Sequence, residues 1–169
     1  MIRWEAHTCL PLHPDASFAP LERYRANGVH CVCINVGMDM NPLGQILAVI
    51  ASFRARLQAA PERYVMPRTV ADVEQARNEG KRAVVFDLEG ALPLLERPEM
   101  VALYRDLGVR QIHVAYNRNN TVAVGCPHTP PALTALVRRM VDAINAAGLL
   151  LHCAPPQLPT KLHIMAHSP

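Results

Sequence analysis

The sequence predicts an α/β fold, an incomplete (β/α)8 TIM-type barrel of about six β/α units. Three observations lead there. Short apolar, strand-like runs alternate with helix-patterned segments along most of the 169 residues. No Gly-x-Gly-x-x-Gly follows the first strand, so a dinucleotide-binding sheet loses its best support. Polar residues stand where several strands end, at His7, Asn35, Glu89, Asn117 and His152, and the chemistry of (β/α)8 barrels gathers at that face.

Arg3 to Leu10 reads as a strand and Leu21 to Ala26 as a short helix stopped by Asn27-Gly28. Val29 to Gly37 is a continuous apolar run, as expected of a parallel strand buried on both faces. Pro42 to Ala60 places Leu43, Ile46, Leu47, Ile50, Phe53 and Leu57 at helical spacing on one face. Tyr64 to Met66 is a short strand. Thr69 caps the next helix, which Gly80 closes. Arg82 to Leu88 is a strand and Pro98 to Leu107 a helix ended by Gly108. Val109 to Ala115 is a strand, Pro131 to Ala147 a helix ended by Gly148, and Leu149 to Cys153 the last strand.

Length and composition narrow the class. A chain of 169 residues, half of them hydrophobic, reads as one soluble globular domain. The net charge of +3 comes mainly from scattered arginines with no basic stripe among aromatics, so nucleic acid is not an expected partner. The start lacks a signal-peptide apolar stretch, and the run from Ile46 to Phe53 is too short to span a bilayer. A cytoplasmic location is the expectation. Five cysteines without framework spacing fit a reducing compartment, and Cys31 and Cys33 read as buried small hydrophobes on one strand face.

A whole barrel takes about 250 residues, and six strands cannot close an eight-stranded ring. Residues 1–169 are therefore read as a single partial barrel domain whose first and last strands leave open edges. Its pattern is disrupted after about His152, where Ala154-Pro155-Pro156-Gln157-Leu158-Pro159 fits neither strand interior nor helix.

The sharpest local feature is Asp87-Leu88-Glu89-Gly90. Val84-Val85-Phe86 leads two carboxylates, two residues apart and so on one strand face, into a glycine turn. Carboxylates ending a buried strand must be paired, hydrogen-bonded or bound to a cation. From the motif alone, a cap or salt bridge and a metal-ligand or acid–base role both stand. His7 and Cys9 share a face of the first strand, and there too a rim histidine and a ligand are both open readings. Asp39, in the loop after the second strand, either faces the site or caps a helix. His113 reads as a satisfied core histidine and His128 as a solvent-exposed one.

Trp4-Glu5-Ala6-His7-Thr8-Cys9-Leu10-Pro11, Phe86-Asp87-Leu88-Glu89-Gly90, and Leu107-Gly108-Val109-Arg110 followed by Tyr116-Asn117-Arg118-Asn119-Asn120 stand in an order that resembles the membrane (renal-type) dipeptidase family. Leu133-Thr134, Met140-Val141 and Asn145-Ala146-Ala147-Gly148-Leu149-Leu150-Leu151 continue the likeness, which reaches about Leu151 and matches the N-terminal two-thirds or less of a member. The resemblance implies a (β/α)8 metallopeptidase that hydrolyses dipeptides with two zinc ions and a bridging water as nucleophile. It implies metal ligation by His7 and Glu89, Glu89 bridging both ions, with Cys9 beside them in place of an aspartate, and a substrate contact by Tyr116. Asn117, with Asn119 and Asn120, either forms a turn or lines the substrate pocket.

Departures from the family pattern are specific. Cys9 stands where a first-strand aspartate is usual, and Pro155 falls at the place of a zinc-ligating histidine. His163 and His167 lack the flanks of ligand positions. Ile164-Met165-Ala166-His167-Ser168-Pro169 resembles the family again, which a frame disruption between about His152 and His163 explains; the encoding nucleic acid tests that reading. The expectation is thus a zinc dipeptidase, truncated and impaired, acting on a dipeptide-like small substrate. The alternatives are a non-catalytic barrel fragment that a homo-oligomer or another partner completes, and a metal-free enzyme using Asp87 and Glu89 as acid and base.

Overall fold

A computed structural model describes residues 1–113 and 135–152. The described elements run β1 (Trp4–Cys9), α1 (Ala19–Ala26), β2 (Cys31–Met38), α2 (Leu43–Gln58), β3 (Tyr64–Val65), α3 (Val70–Asn78) and β4 (Arg82–Glu89). A 3-10 turn (Leu92–Leu94) follows, then α4 (Glu99–Asp106), β5 (Val109–His113), α5 (Ala135–Ala146) and β6 (Leu150–His152). The strands join in one sheet of order β1-β2-β4-β5-β6, and the two residues of β3 pair with the start of β4. The β1–β2, β3–β4 and β5–β6 pairings are parallel, as strand–helix–strand connections require. No helix among the described residues is long and apolar enough to cross a membrane.

Burial explains which strand takes which place. All eight residues of β4 and the first seven of β2 are buried, so these apolar runs occupy interior positions in the sheet. β1 has no fully buried residue, only exposed and half-buried ones, and ends the strand order.

The chain divides into two compact units, the first made of Met1–Val36 and Pro42–Phe86, the second of Gly37–Asn41 and the residues from Asp87 onward. In the first, α2 buries Ile46, Val49, Ile50, Phe53 and Leu57. Leu47, expected on that face, is 41% exposed. At about 100° per residue it lies well off the line through Ile46, Ile50 and Phe53, and Val49 fills the face instead. Phe53 packs edge-on against Phe18 at 5.1 Å and tilts against Phe86 at 6.4 Å. Arg56 stacks over Phe18 at 3.8 Å and donates to the Ala16 carbonyl at 2.7 Å, tying the segment after β1 onto α2.

Cys31 and Cys33 pack with Ala76, Ala83 and Val85 in a dry cluster, as small hydrophobes do. Burial pushes the Cys31 thiol up to about 12. α3 opens with a complete capping box: the Asp72 N–H donates to Thr69 Oγ1 at 3.2 Å, and the Thr69 N–H donates to Asp72 Oδ2 at 2.9 Å.

In the second unit α4 packs on β5 and α5, and α5 packs on β6. Val137, Met140, Val141 and Ile144 form the buried stripe of α5. Tyr104 is fully buried in α4 and donates to the Pro93 carbonyl at 3.3 Å, linking α4 to the turn after β4. Burial raises its phenol to about 12.

Candidate metal centre

Polar side chains end several strands. Cys9 closes β1 and Glu89 closes β4, while His113 and His152 are the final residues of β5 and β6 as described. That edge of a parallel β/α sheet is where a backbone scaffold offers side chains to a ligand.

In the first unit a β-bulge shapes the candidate. β1 pairs Trp4 with Cys31 and Glu5 with Val32, then Thr8 with Ile34 and Cys9 with Asn35. Ala6 and His7 thus stand opposite one residue of β2, and such a bulge bends the strand and re-aims its side chains. The His7 N–H is met by Glu5 Oε1 at 3.4 Å. His7 is half-buried and Cys9 exposed.

His7 Nε2 and Cys9 Sγ lie 3.7 Å apart. A tetrahedral zinc ion with nitrogen at about 2.1 Å and sulfur at about 2.3 Å separates two such donors by about 3.6 Å. The pair therefore fits one edge of a zinc site, and thiolate with imidazole is a donor set that zinc accepts.

In the second unit, Asp87 is fully buried and Glu89 is 5% exposed at the end of β4. His113, 3% exposed, offers a ring nitrogen within 4.8 Å of an Asp87 carboxylate oxygen. His113 pairs in register with His152 across β5 and β6. Their rings are 3.9 Å apart, with His113 Nε2 and His152 Nδ1 at 2.8 Å. At that distance one ring donates its N–H and the other accepts. The Gln111 amide nitrogen lies 3.3 Å from the first and 3.2 Å from the second.

Of the residues expected from the sequence, the structure brings His7 and Cys9 together and places Glu89 buried at its strand end. Tyr116 and Asn117, expected to contact substrate, lie outside the described residues, as do His128, Pro155, His163 and His167. Asp87 and His113 as neighbours were not foreseen. His113 is the satisfied core histidine that its strand context suggests, and it also adjoins a buried carboxylate. Its position at a strand end, like Glu89 and His152, was the available signal.

The family model described as membrane dipeptidase (peptidase family M19) matches residues 15–155. The match takes in Asp87, Glu89 and His113 and begins beyond His7 and Cys9. No curated protein sequence matches. Among solved structures the chain is similar to an amidohydrolase from Pseudomonas aeruginosa at 18% identity and TM-score 0.86, covering 99% of this chain and 50% of that one. The probable dipeptidase PvdM of the same organism is similar at 17% identity and TM-score 0.84, covering 99% and 50%. A metallopeptidase from Rhodobacter sphaeroides, liganded with a phosphinate mimic of the dipeptide L-Ala-D-Ala, is similar at 18% identity and TM-score 0.76, covering 88% and 52%. The chain spans about half the length of these structures. The fold is an incomplete TIM-type barrel of the metal-dependent hydrolase kind.

Proposed function

Because this chain belongs to the membrane dipeptidase family, we propose that its site is that of a zinc-dependent dipeptidase, with His7, Glu89 and Cys9 as metal donors. The single observation that carries the reading is the family match across residues 15–155, which spans the Asp87-Leu88-Glu89-Gly90 strand end. The His7–Cys9 spacing of 3.7 Å supports a metal at the end of β1. Zinc, once bound, supplies polarisation of the scissile carbonyl and a nucleophile generated from water near neutral pH.

The chain's own residues do the rest. Glu89, nearly buried at the end of β4, would hold the metal there, as the family resemblance implies. Asp87 and His113 bring a carboxylate oxygen and a ring nitrogen within 4.8 Å of each other in the same unit as Glu89. Tyr116 is assigned to substrate on the resemblance, and Asn117 on its place in the loop that follows it. A dipeptide is the substrate class, a homo-oligomer the expected partner, and the cytoplasm the expected location, which cell fractionation tests.

The experiment is hydrolysis of a dipeptide panel, including L-Ala-D-Ala, by the purified chain with and without added zinc. Amino-acid release that stops on chelation and returns with zinc supports the proposal. Zinc-independent release, or none with zinc stoichiometrically bound, overturns it.

A further inference from the structure

Gly90 directly follows Glu89 and takes φ of +133°, a backbone conformation that side chains disfavour. The place its Cβ would occupy is already filled. The Asp39 carboxylate reaches it, its Oδ1, Cγ and Oδ2 all lying where that atom would sit. Asp39 Oδ1 also accepts the Leu92 N–H at 2.8 Å. Leu92 opens the 3-10 turn, whose own preceding residue, Ala91, supplies no side-chain cap. Asp39 therefore does the capping from 53 residues away. The loop that carries it is fixed in turn: Asn41 Oδ1 accepts the Met38 N–H at 2.8 Å, and the Asn41 N–H donates to the Met38 carbonyl at 3.0 Å.

We propose that Asp39 is a positioning residue that clamps the Gly90–Leu92 turn and thereby fixes the Glu89 carboxylate for metal binding. This rests on the reading of Glu89 as a metal donor. A carboxylate on the last residue of a strand is aimed by the strand before it and the turn after it. β4 holds the first side, and the clamp holds the second. The pairing also explains why a glycine is needed after Glu89: the strained φ and the Asp39 carboxylate both exclude a side chain there. Loss of a residue that orients a metal donor typically weakens metal binding about 10–100-fold.

The test is zinc affinity of the full chain, by competition with a chromophoric chelator, in wild type, Asp39→Ala, Asp39→Asn, Asp39→Leu and Glu89→Gln. Hydrogen exchange at the Leu92 amide is read alongside. Asp39→Ala is expected to lose Leu92 protection and to bind zinc about 10–100-fold more weakly. Asp39→Asn keeps Oδ1 as an acceptor and is expected to restore most of both, whereas Asp39→Leu, of similar shape but with no acceptor, is expected to restore neither. Equal rescue by Asp39→Leu would show a space-filling role alone and overturn the clamp. Should Asp39→Ala fail to fold, Gly90→Ala displaces the carboxylate while leaving Asp39 present, and is expected to weaken zinc to the same order. Zinc bound through Glu89 with unchanged affinity in the folded Asp39→Ala or Gly90→Ala variant overturns the inference alone. Zinc affinity indifferent to Glu89→Gln overturns the underlying reading as well.

Discussion

Replacing Cys9 by serine separates a metal-ligating thiolate from an exposed cysteine that merely neighbours a histidine. From the His7 Nε2 to Cys9 Sγ distance of 3.7 Å and ordinary zinc bond lengths, one ion bound to both would see them at about 114°, close to the tetrahedral angle of about 109°. The two donors already stand at the separation of a zinc-bound pair. Loss of a direct donor costs more than loss of an orienting partner, so the Cys9→Ser affinity for zinc should fall by more than about 100-fold. The assay substitutes cobalt for zinc, because a thiolate bound to cobalt gives a near-ultraviolet charge-transfer band that oxygen and nitrogen donors do not. Wild type should show that band and Cys9→Ser should lack it, while His7→Ala weakens binding comparably. An identical spectrum and affinity in Cys9→Ser would refute the assignment and leave Cys9 as a rim residue.

Three stability predictions follow from the first unit. Phe53→Ala removes a fully buried ring that packs against Phe18 and Phe86, and should cost about 3–5 kcal/mol in a denaturant titration. Thr69→Ala breaks the capping box of α3 and should cost about 1 kcal/mol, read the same way. Glu22 accepts from the Tyr64 hydroxyl at 2.8 Å and pairs with Arg63 and with Arg25. The Tyr64 hydroxyl chiefly holds its carboxyl below the ordinary value, against a burial cost, with Arg63 and Arg25 adding. A depressed folded pKa means the contribution is present above the unfolded pKa and is lost as pH falls through the folded one. Glu22→Gln should therefore cost about 1 kcal/mol near neutrality, solvent screening being substantial, and flatten the acid side of the stability–pH curve. An unchanged acid limb would show that Glu22 gains nothing from its partners.

Much of the fold was legible because apolar runs and helical spacing state burial directly. Val29 to Gly37 and Arg82 to Leu88 read as interior strands and became β2 and β4, and Thr69 and Gly80 bounded α3 as their chemistry dictates. Leu47 misled because a window of apolar residues does not say which of two flanking positions faces the core. The site was less legible. Glu89 stood out because an acid ending an apolar run demands a partner. His113 did not, since only the β5–β6 register shows that it meets His152 and only the structure shows that it adjoins Asp87. The β1 bulge is likewise a property of pairing with β2, and nothing in Ala6-His7 announces it. Asp39 and Gly90 are 51 positions apart in the chain, and local pattern could not join them.

Metal content and dipeptide turnover, measured together on the purified chain beside its Glu89→Gln variant, test the central claim most directly. A zinc dipeptidase site predicts stoichiometric zinc in the wild type, dipeptide hydrolysis that chelation abolishes, and loss of hydrolysis in Glu89→Gln. Wild-type protein that is folded yet takes up no zinc and cleaves no dipeptide would contradict the account and favour a non-catalytic barrel fragment.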